Sequence, residues 1–126
     1  MRDAREISVD FNEPVHICGR FTGAGAGAPT PVANVPGAQS TKATVTYNST
    51  GNIYVTLLDP PLGVVQSYDF WIGSPANNKN VQVAPPAAGS YQFKLLVTYH
   101  ANGVAVDVAS SEELVMDIWT ARTAKP

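Results

Sequence analysis

The sequence is poor in charge and in cysteine, and it contains no long apolar run. Only 14% of its 126 residues are charged, well below the roughly 25% of an average soluble domain. The single cysteine, Cys18, excludes an internal disulfide bond, so packing must stabilise the fold. Nothing approaches the run of about 18 apolar residues that a membrane span needs, and residues 1–6 lead into no signal-peptide core. We therefore expect a chain that folds in the cytoplasm and does not enter a membrane.

Positive charge is also scarce. Eight lysines and arginines stand against ten aspartates and glutamates, which gives a net charge of −2. Because phosphate recognition depends on clustered cations, this balance argues against a nucleic-acid partner. A weakly charged surface further predicts that partner proteins cover part of it. The cations near the two ends, Arg2, Arg5 and Arg122, lie either on solvated tails, the simpler interpretation, or on tethers to an acidic surface.

What the sequence does contain is alternation of apolar and polar residues with a period of two, repeated along its length. Helical periodicity is nearly absent. With turn residues at intervals of about ten positions, this pattern predicts an all-β fold, specifically an antiparallel β-sandwich, immunoglobulin-like, with about eight or nine short strands. The predicted strands cover residues 7–12, 15–20, 42–47, 53–57, 65–73, 81–83, 91–99, 104–108 and 114–118.

The length fits one domain with one hydrophobic core. We expect a single β-sandwich over residues 1–126, with an N-terminal arm over about 1–12 and a short C-terminal tail over 120–126. Asn102 and Gly103 form the strongest hairpin signal, because both residues tolerate the positive φ of a type I′ turn. The strand over 104–108 is therefore predicted to return antiparallel to the strand over 91–99.

One segment has almost no side-chain bulk. Residues 22–37, which we call the Gly/Ala/Pro loop, cannot bury enough area to fix a strand and are predicted to form a long loop or arm. Loops of this length are either functional or flexible. Its small residues suit close contact with a neighbouring surface, and the candidate contact residues are Gly23, Gly25, Gly27 and Pro29. No βαβ unit surrounds the glycines, so their partial match to a dinucleotide motif is accidental.

The sequence has few side chains that could act together in catalysis. We therefore predict that the chain is not an enzyme and binds no cofactor. The two histidines are His16 and His100. His16 and Cys18 would project from one face of a strand, and His100 could join them across the sheet. A metal site or a Cys–His nucleophile is one interpretation, but lone Cys and His in strands are more often packed or surface residues.

The carboxylates fit solvent-facing strand positions and turns. Glu112 and Glu113 could cap a turn, or could bind calcium together with Asp107. The second interpretation is the weaker one, because no loop has the oxygen density that a calcium site requires.

The two tryptophans are the other unusual feature. Trp71 alternates with the predicted core residues Phe70 and Ile72, and Trp119 follows Ile118 at the end of the last predicted strand. Both rings are therefore candidates to point outward and to anchor an interface, together with Tyr68. The alternative is that they close the ends of the core.

Two segments give the sequence a resemblance to a family. Residues 18–23 read Cys-Gly-Arg-Phe-Thr-Gly and lead to Ala-Pro-Thr at 28–30, and residues 49–59 read Ser-Thr-Gly-Asn-Ile-Tyr-Val-Thr-Leu-Leu-Asp. The sequence resembles small virion-associated proteins of tailed phages over about residues 16–118. It departs from their pattern in one residue inserted at Asn52-Ile53 and in two prolines after Asp59.

The resemblance implies a capsid cement or decoration protein on the outer capsid surface of the virion, made in the host cytoplasm. It further implies a homotrimer that bridges subunits of the major capsid protein. On this interpretation the termini, the Gly/Ala/Pro loop and the candidate anchors Tyr68, Trp71 and Trp119 contact the shell or neighbouring subunits. The alternative is a tail- or fibre-associated virion protein whose β-sandwich binds carbohydrate, with Trp71 and Tyr99 in an exposed cleft.

Overall fold

The computed structural model describes residues 14–32, 43–58, 64–73, 78–87 and 90–121. This part of the chain contains eight β-strands and no helix, which confirms the all-β prediction. The strands are β1 (Pro14–Thr22), β2 (Thr30–Pro31), β3 (Ala43–Ser49), β4 (Asn52–Leu57), β5 (Val64–Gly73), β6 (Lys79–Ala84), β7 (Gln92–Tyr99) and β8 (Glu113–Ala121). The predicted strand at 7–12 and the N-terminal arm lie outside the described residues. Of the tail predicted over 120–126, residues 120–121 belong to β8, and the rest lies outside the described residues.

The strands form two antiparallel sheets of four strands each. The first sheet has the order β2-β1-β8-β5 and the second has the order β3-β4-β7-β6. In the first sheet β1 and β8 pair over their full length, from Pro14 opposite Ala121 to Thr22 opposite Glu113. The first and last strands of the described chain therefore lie side by side in the middle of one sheet, and the chain enters and leaves at the same end of that sheet.

Alternation places one face of every long strand against a common core. The buried apolar side chains of both sheets form one cluster, as expected when a pleated strand has its apolar residues at every second position. At its centre the fully buried Phe93 ring of β7 meets the Phe70 ring of β5 at a centroid distance of 5.3 Å. Contact between rings of opposite sheets makes the arrangement sandwich-like.

The segment after β7 differs from the prediction. The hairpin loop has four residues, 100–103, with Tyr99 N–H donating to the Val104 carbonyl (3.0 Å) and Gly103 N–H donating to the Tyr99 carbonyl (2.9 Å). The predicted two-residue turn at Asn102-Gly103 is therefore wrong, although Gly103 does adopt a positive φ of 70°. No full strand follows over 104–108, because this segment pairs with β7 at one isolated bridge, Thr98 to Ala105, beside which the Val106 N–H donates to the Val97 carbonyl at 3.0 Å.

Part of the Gly/Ala/Pro loop is ordered by pairing. Residues 30–31 form β2, which pairs with the end of β1 through Phe21 opposite Pro31 and Thr22 opposite Thr30. Gly23 is buried, and its N–H donates to the Glu112 carbonyl at 2.9 Å. The prediction of a loop over the whole of 22–37 is thus too broad, since its first ten residues are tied to β1 and to the segment before β8.

One aspartate ties the segment between the β7 hairpin and β8 to the β3–β4 hairpin. The Asp107 carboxylate accepts hydrogen bonds from the Tyr47 hydroxyl (3.1 Å) and from the Gly51 N–H (3.0 Å). These two bonds join the segment to the β3–β4 hairpin, where Gly51 has a φ of +73° and approaches the Val97 carbonyl. Asp107 therefore connects two loops at one end of the second sheet.

Replacing Asp107 by alanine is expected to destabilise the fold by about 2 kcal/mol, because a part-buried charged acceptor is lost and the Gly51 N–H loses its partner. Asp107→Asn keeps an acceptor oxygen and is expected to lose less than half of that amount. Urea unfolding followed by tryptophan fluorescence measures both. Equal destabilisation by the two variants would contradict this role of the acceptor.

A binding surface on the first sheet

The candidate site is the face of the first sheet that points away from the core, which we call the outer face. Alternation along β1, β5 and β8 determines which side chains lie there. The described members are His16, Cys18, Arg20, Thr22, Ser67, Asp69, Trp71, Gly73, Glu113, Val115, Asp117 and Trp119. Most of them are exposed or half-buried, whereas the residues between them on β8 are buried.

One end of the outer face carries an aromatic stack. The His16 and Trp119 rings are stacked at a centroid distance of 4.1 Å with 6° between their planes, and the imidazole also contacts the Asp117 carboxylate. Trp119 remains 40% exposed. Pro14 pairs with Ala121 at this end of the sheet, so we call it the terminal end.

The opposite end of the outer face carries an open groove of about 690 Å³, which we call the distal groove. Its lining residues come from three strands and from the turn before β8; they are Arg20, Thr22, Trp71, Gly73, Ser110, Ser111, Glu112, Glu113 and Val115. Trp71 is 44% exposed on β5. The Arg20 and Trp71 positions flank Val115 of β8, four residues before Trp119. At about 3.3 Å per residue, the two ends are separated by about 13 Å along the strand.

The charges of the distal groove are paired. On its wall the Arg20 guanidinium contacts the Glu113 carboxylate, with the Nε–Oε1 distance at 2.8 Å. Behind it the Lys79 ammonium donates to the Glu112 carboxylate at 2.5 Å and to the Asp107 carbonyl at 2.9 Å. The Glu112 carboxylate also accepts from the Ala109 N–H at 2.9 Å. Each acidic side chain of the groove thus has a cation beside it.

The structure separates the two tryptophans. Both rings lie on the outer face and are exposed, which confirms their predicted outward direction, but Trp119 is at the terminal end and Trp71 is in the distal groove. Tyr68 differs from both, because it lies on the inner face of β5. It is 38% exposed, and its ring meets Phe93 edge-on at 5.5 Å. Tyr68 therefore packs at the margin of the core and does not share a surface with either tryptophan.

The other predicted contact residues are distributed differently. Gly23 and Pro29 are buried within the chain itself, which leaves them little surface to offer a partner, while Gly25 and Gly27 are half-buried. Space at Gly23 is limited by the Val108 and Ala109 carbonyls, so its small size serves internal packing. The remaining three, Arg2, Arg5 and Arg122, lie outside the described residues.

The structure does not bring the two histidines together. His16 and Cys18 share the outer face, as predicted, but His100 lies in the hairpin loop after β7 of the second sheet. In the described part of the chain no three His, Cys, Asp or Glu side chains are grouped as metal ligands. The suggestion that His100 joins His16 and Cys18 across a sheet is therefore wrong.

The calcium interpretation of Asp107 and Glu112 is also wrong. Asp107 accepts from Tyr47 and Gly51, and the position between the Asp107 carbonyl and the Glu112 carboxylate is taken by the Lys79 ammonium. An internal cation thus stands where a metal ion would bind. Glu113 faces the other way and pairs with Arg20.

The expected aromatic cleft of Trp71 and Tyr99 is not formed. Tyr99 ends β7 in the second sheet, where its ring lies 5.9 Å from the Lys79 ammonium, and it does not line the distal groove. The groove residues that sequence reasoning missed are Arg20, Gly73, Ser110, Ser111 and Val115. Strand register is the signal for the residues on strands, because it places Arg20, Val115 and Trp71 in one row and Thr22, Glu113 and Gly73 in the next. Ser110 and Ser111 lie in the turn before β8, where register gives no signal.

Comparison with known proteins adds no relative. No family model matches the chain, and neither a curated protein nor a solved structure matches it significantly. Among the described residues there is also no helix with the length and apolar character required to cross a membrane. Inference about function therefore depends on the residues of the outer face and on the resemblance described above.

Proposed function

We propose that the chain is a non-enzymatic decoration protein of a tailed-phage virion, which attaches to the outer surface of the head and stabilises it by bridging major capsid subunits. The observation that carries the proposal is the solvent-exposed Trp119–His16 stack at the terminal end of the outer face. The sequence resemblance supplies the class of partner.

An exposed tryptophan held in place by stacking suits an interface anchor. Burial of its ring against a partner removes a large apolar area from water, and tryptophan is among the residues that dominate binding energy at interfaces. The stack on His16 fixes the ring before binding, so little side-chain freedom is lost on contact. The Asp117 carboxylate beside the imidazole adds a polar rim to this apolar patch.

The chain segments that carry terminal arginines start from the same end. β1 begins at Pro14 opposite Ala121 of β8, and the sequence before and after them includes Arg2, Arg5 and Arg122. We propose that these cations and Trp119 form one attachment region against an acidic shell surface. Tyr68 and the Gly/Ala/Pro loop are secondary contacts in this arrangement, toward neighbouring copies, whereas Trp71 stays outside the attachment region.

The proposed assembly is a homotrimer on the shell. Each protomer makes a contact of modest area, and three linked contacts raise the overall affinity by about 10²–10⁴ when all can engage at once. Such multivalent binding resists subunit separation without covalent bonds. The proposal includes no nucleic-acid contact and no membrane contact.

We further propose that the architecture is immunoglobulin-like in its layers, with a connectivity of its own. Constant-type immunoglobulin domains have sheets of order ABED and CFG. Here β1 and β8, the first and last strands of the described residues, are adjacent in the centre of one sheet, in the order β2-β1-β8-β5. The likeness is therefore one of two stacked antiparallel sheets around a core.

Binding to heads that lack the protein tests the proposal. We expect wild-type protein to bind such heads and to raise their rupture temperature. We expect Trp119→Ala to lower head affinity by at least about tenfold, as for an anchor residue. Trp71→Ala is the matched control, since it removes an equally exposed tryptophan from the other end of the same face, and it should bind heads within about threefold of wild type.

Absence of wild-type binding to heads would overturn the proposed function. A Trp119→Ala protein that binds as well as wild type while retaining its native circular-dichroism spectrum would overturn the attachment region. Thermal melts of both variants establish that each is folded before binding is measured.

The second candidate function is a tail- or fibre-associated carbohydrate-binding protein. The distal groove favours it, because an exposed Trp71 stands beside charged and hydroxyl-bearing side chains. Copy number per particle distinguishes the two roles, since a decoration protein is present in hundreds of copies and a tail protein in a handful.

A further inference from the structure

We propose that the distal groove binds a neutral oligosaccharide, with one sugar ring packed on Trp71. This inference goes beyond attachment to a shell, because the groove lies at the end of the outer face opposite the terminal end. A protein held by its terminal end leaves this groove facing solvent. The proposal thus applies to a head-bound protein and to a tail-bound one alike.

Trp71 provides the apolar platform. Trp71 is 44% exposed on β5, an edge strand of the first sheet, and it lines the groove. The C–H face of a pyranose ring is apolar and flat, and it packs on an indole ring as other apolar groups do, at little cost in side-chain entropy. An exposed tryptophan does not by itself indicate a binding site. Trp71, however, forms the wall of a groove that polar side chains also line.

Arg20 and Glu113 provide fixed hydrogen-bonding groups opposite Trp71. The guanidinium and the carboxylate hold each other through the Nε–Oε1 bond of 2.8 Å, so their orientation is set before a ligand arrives. A guanidinium offers several donors and a carboxylate several acceptor sites. Vicinal sugar hydroxyls both donate and accept, and they match this mixture. Ser110 and Ser111, in the turn before β8, add hydroxyl groups on the same rim.

The charges of the groove favour a neutral ligand. Glu113 is paired with Arg20, and Glu112 is paired with Lys79. An acidic sugar or a phosphate would need cations in excess, as in sites that recognise phosphate or carboxylate through arginine clusters. Among the residues that line the groove Arg20 is the one cation, and its guanidinium is already engaged with Glu113.

Gly73 provides space next to the platform. It lies on the outer face two residues after Trp71, in the row of Thr22 and Glu113. A Cβ atom at Gly73 would meet Val115 Cγ2 at 3.7 Å and the Glu113 carbonyl at 3.9 Å, which are ordinary contacts. The fold therefore tolerates a side chain at Gly73, and that side chain would occupy the groove. The volume of about 690 Å³ falls within the range of roughly 300–1,000 Å³ that small-molecule sites have.

The test uses the full-length protein and neutral trisaccharides of glucose, galactose, mannose and N-acetylglucosamine, with sialyllactose as the acidic probe. Binding is followed by amide shifts in NMR and by tryptophan fluorescence. We expect at least one neutral trisaccharide to bind at millimolar or lower concentration and to shift amides of residues 71–73 and 110–115. We expect Trp71→Ala and Gly73→Val each to weaken binding by at least about tenfold.

Trp119→Ala is the matched control and should bind the trisaccharide within about twofold of wild type. The proposal is overturned if none of the neutral trisaccharides binds wild type at millimolar concentration, if only sialyllactose binds, or if Trp71→Ala binds as wild type does. A failure of the proposed head attachment can be told apart from a failure of the proposed sugar binding. The Trp119 variant tests head attachment, and the Trp71 and Gly73 variants test sugar binding.

Discussion

Glu112→Ala is expected to lower the free energy of unfolding by about 3–5 kcal/mol, the range found when one partner of a buried ion pair is removed. Glu112 and Lys79 are only 8% and 7% exposed, and their side chains are 2.5 Å apart. Without the carboxylate, the Lys79 ammonium stays buried beside the Asp107 carbonyl and loses the negative charge that balances it. The Ala109 N–H loses its acceptor as well.

A matched exposed pair is available in the same region. Glu113→Ala removes the carboxylate beside Arg20, whose side chain is 46% exposed, and is expected to cost less than about 1 kcal/mol because solvent screens such pairs. The double variant Lys79→Met with Glu112→Gln should recover a large part of the loss, since no charge stays buried. Urea unfolding measures all three. A cost for Glu112→Ala no larger than that for Glu113→Ala would contradict the structural role of the buried pair.

Gly23→Ala is the second substitution with a large expected effect, at least about 3 kcal/mol or failure to fold. A Cβ atom at Gly23 would lie 2.6 Å from the Val108 carbonyl oxygen, 2.7 Å from Val108 Cγ1 and closer still to the Ala109 carbonyl oxygen. Two of these obstacles are backbone atoms, which cannot move aside as a flexible side chain can. The Gly23 N–H bond to Glu112 fixes the two segments at this distance.

Gly27→Ala is the control for Gly23→Ala. Gly27 lies in the same glycine-alanine run as Gly23, and a Cβ atom added at Gly27 would meet only Ala24 atoms, at 3.6 Å and 3.7 Å. We expect a change within about 0.5 kcal/mol. Thermal melts of the two variants give the comparison, and similar melting temperatures would refute the close approach of Gly23 to Val108 and Ala109.

Alternation in the sequence was sufficient to predict the seven longer strands of the described residues, because it reports burial on one face of a pleated strand, whereas the two-residue strand β2 was missed. The outward direction of Trp71 and Trp119 follows from the same rule, since each is next to a buried residue. The rule failed for residues 104–108. There the valines alternate, but the Asp107 side chain and the Gly51 turn hold the segment, so it makes one bridge and no strand.

The Gly/Ala/Pro loop shows what local composition cannot reveal. Small residues predicted a loop with a free surface, and Gly25 with its φ of +60° and open surroundings fits that expectation. Gly23 does not, because its small size is required by Val108 and Ala109, which are distant in sequence. A glycine that permits close approach and a glycine that permits a turn look alike in the sequence, and tertiary packing separates them.

A few residues of the candidate site could be predicted from the sequence, but the surface that they form could not. Trp71 and Trp119 could be named from the sequence, whereas their placement at opposite ends of one face depends on the register of β8 against β1 and β5. Register is set by contacts between strands and is not encoded in any single one of them. The distal groove combines residues of three strands and a turn, so it could not be predicted from the sequence for the same reason.

Electron cryomicroscopy of heads incubated with the protein tests the central claim most directly, namely that the outer face of the first sheet is the binding surface and that its terminal end attaches. The account predicts density for the protein on the outside of the head, with Trp119 and His16 against the shell and Trp71 facing solvent. Attachment through the second sheet, β3-β4-β7-β6, with Trp119 facing solvent, would contradict it.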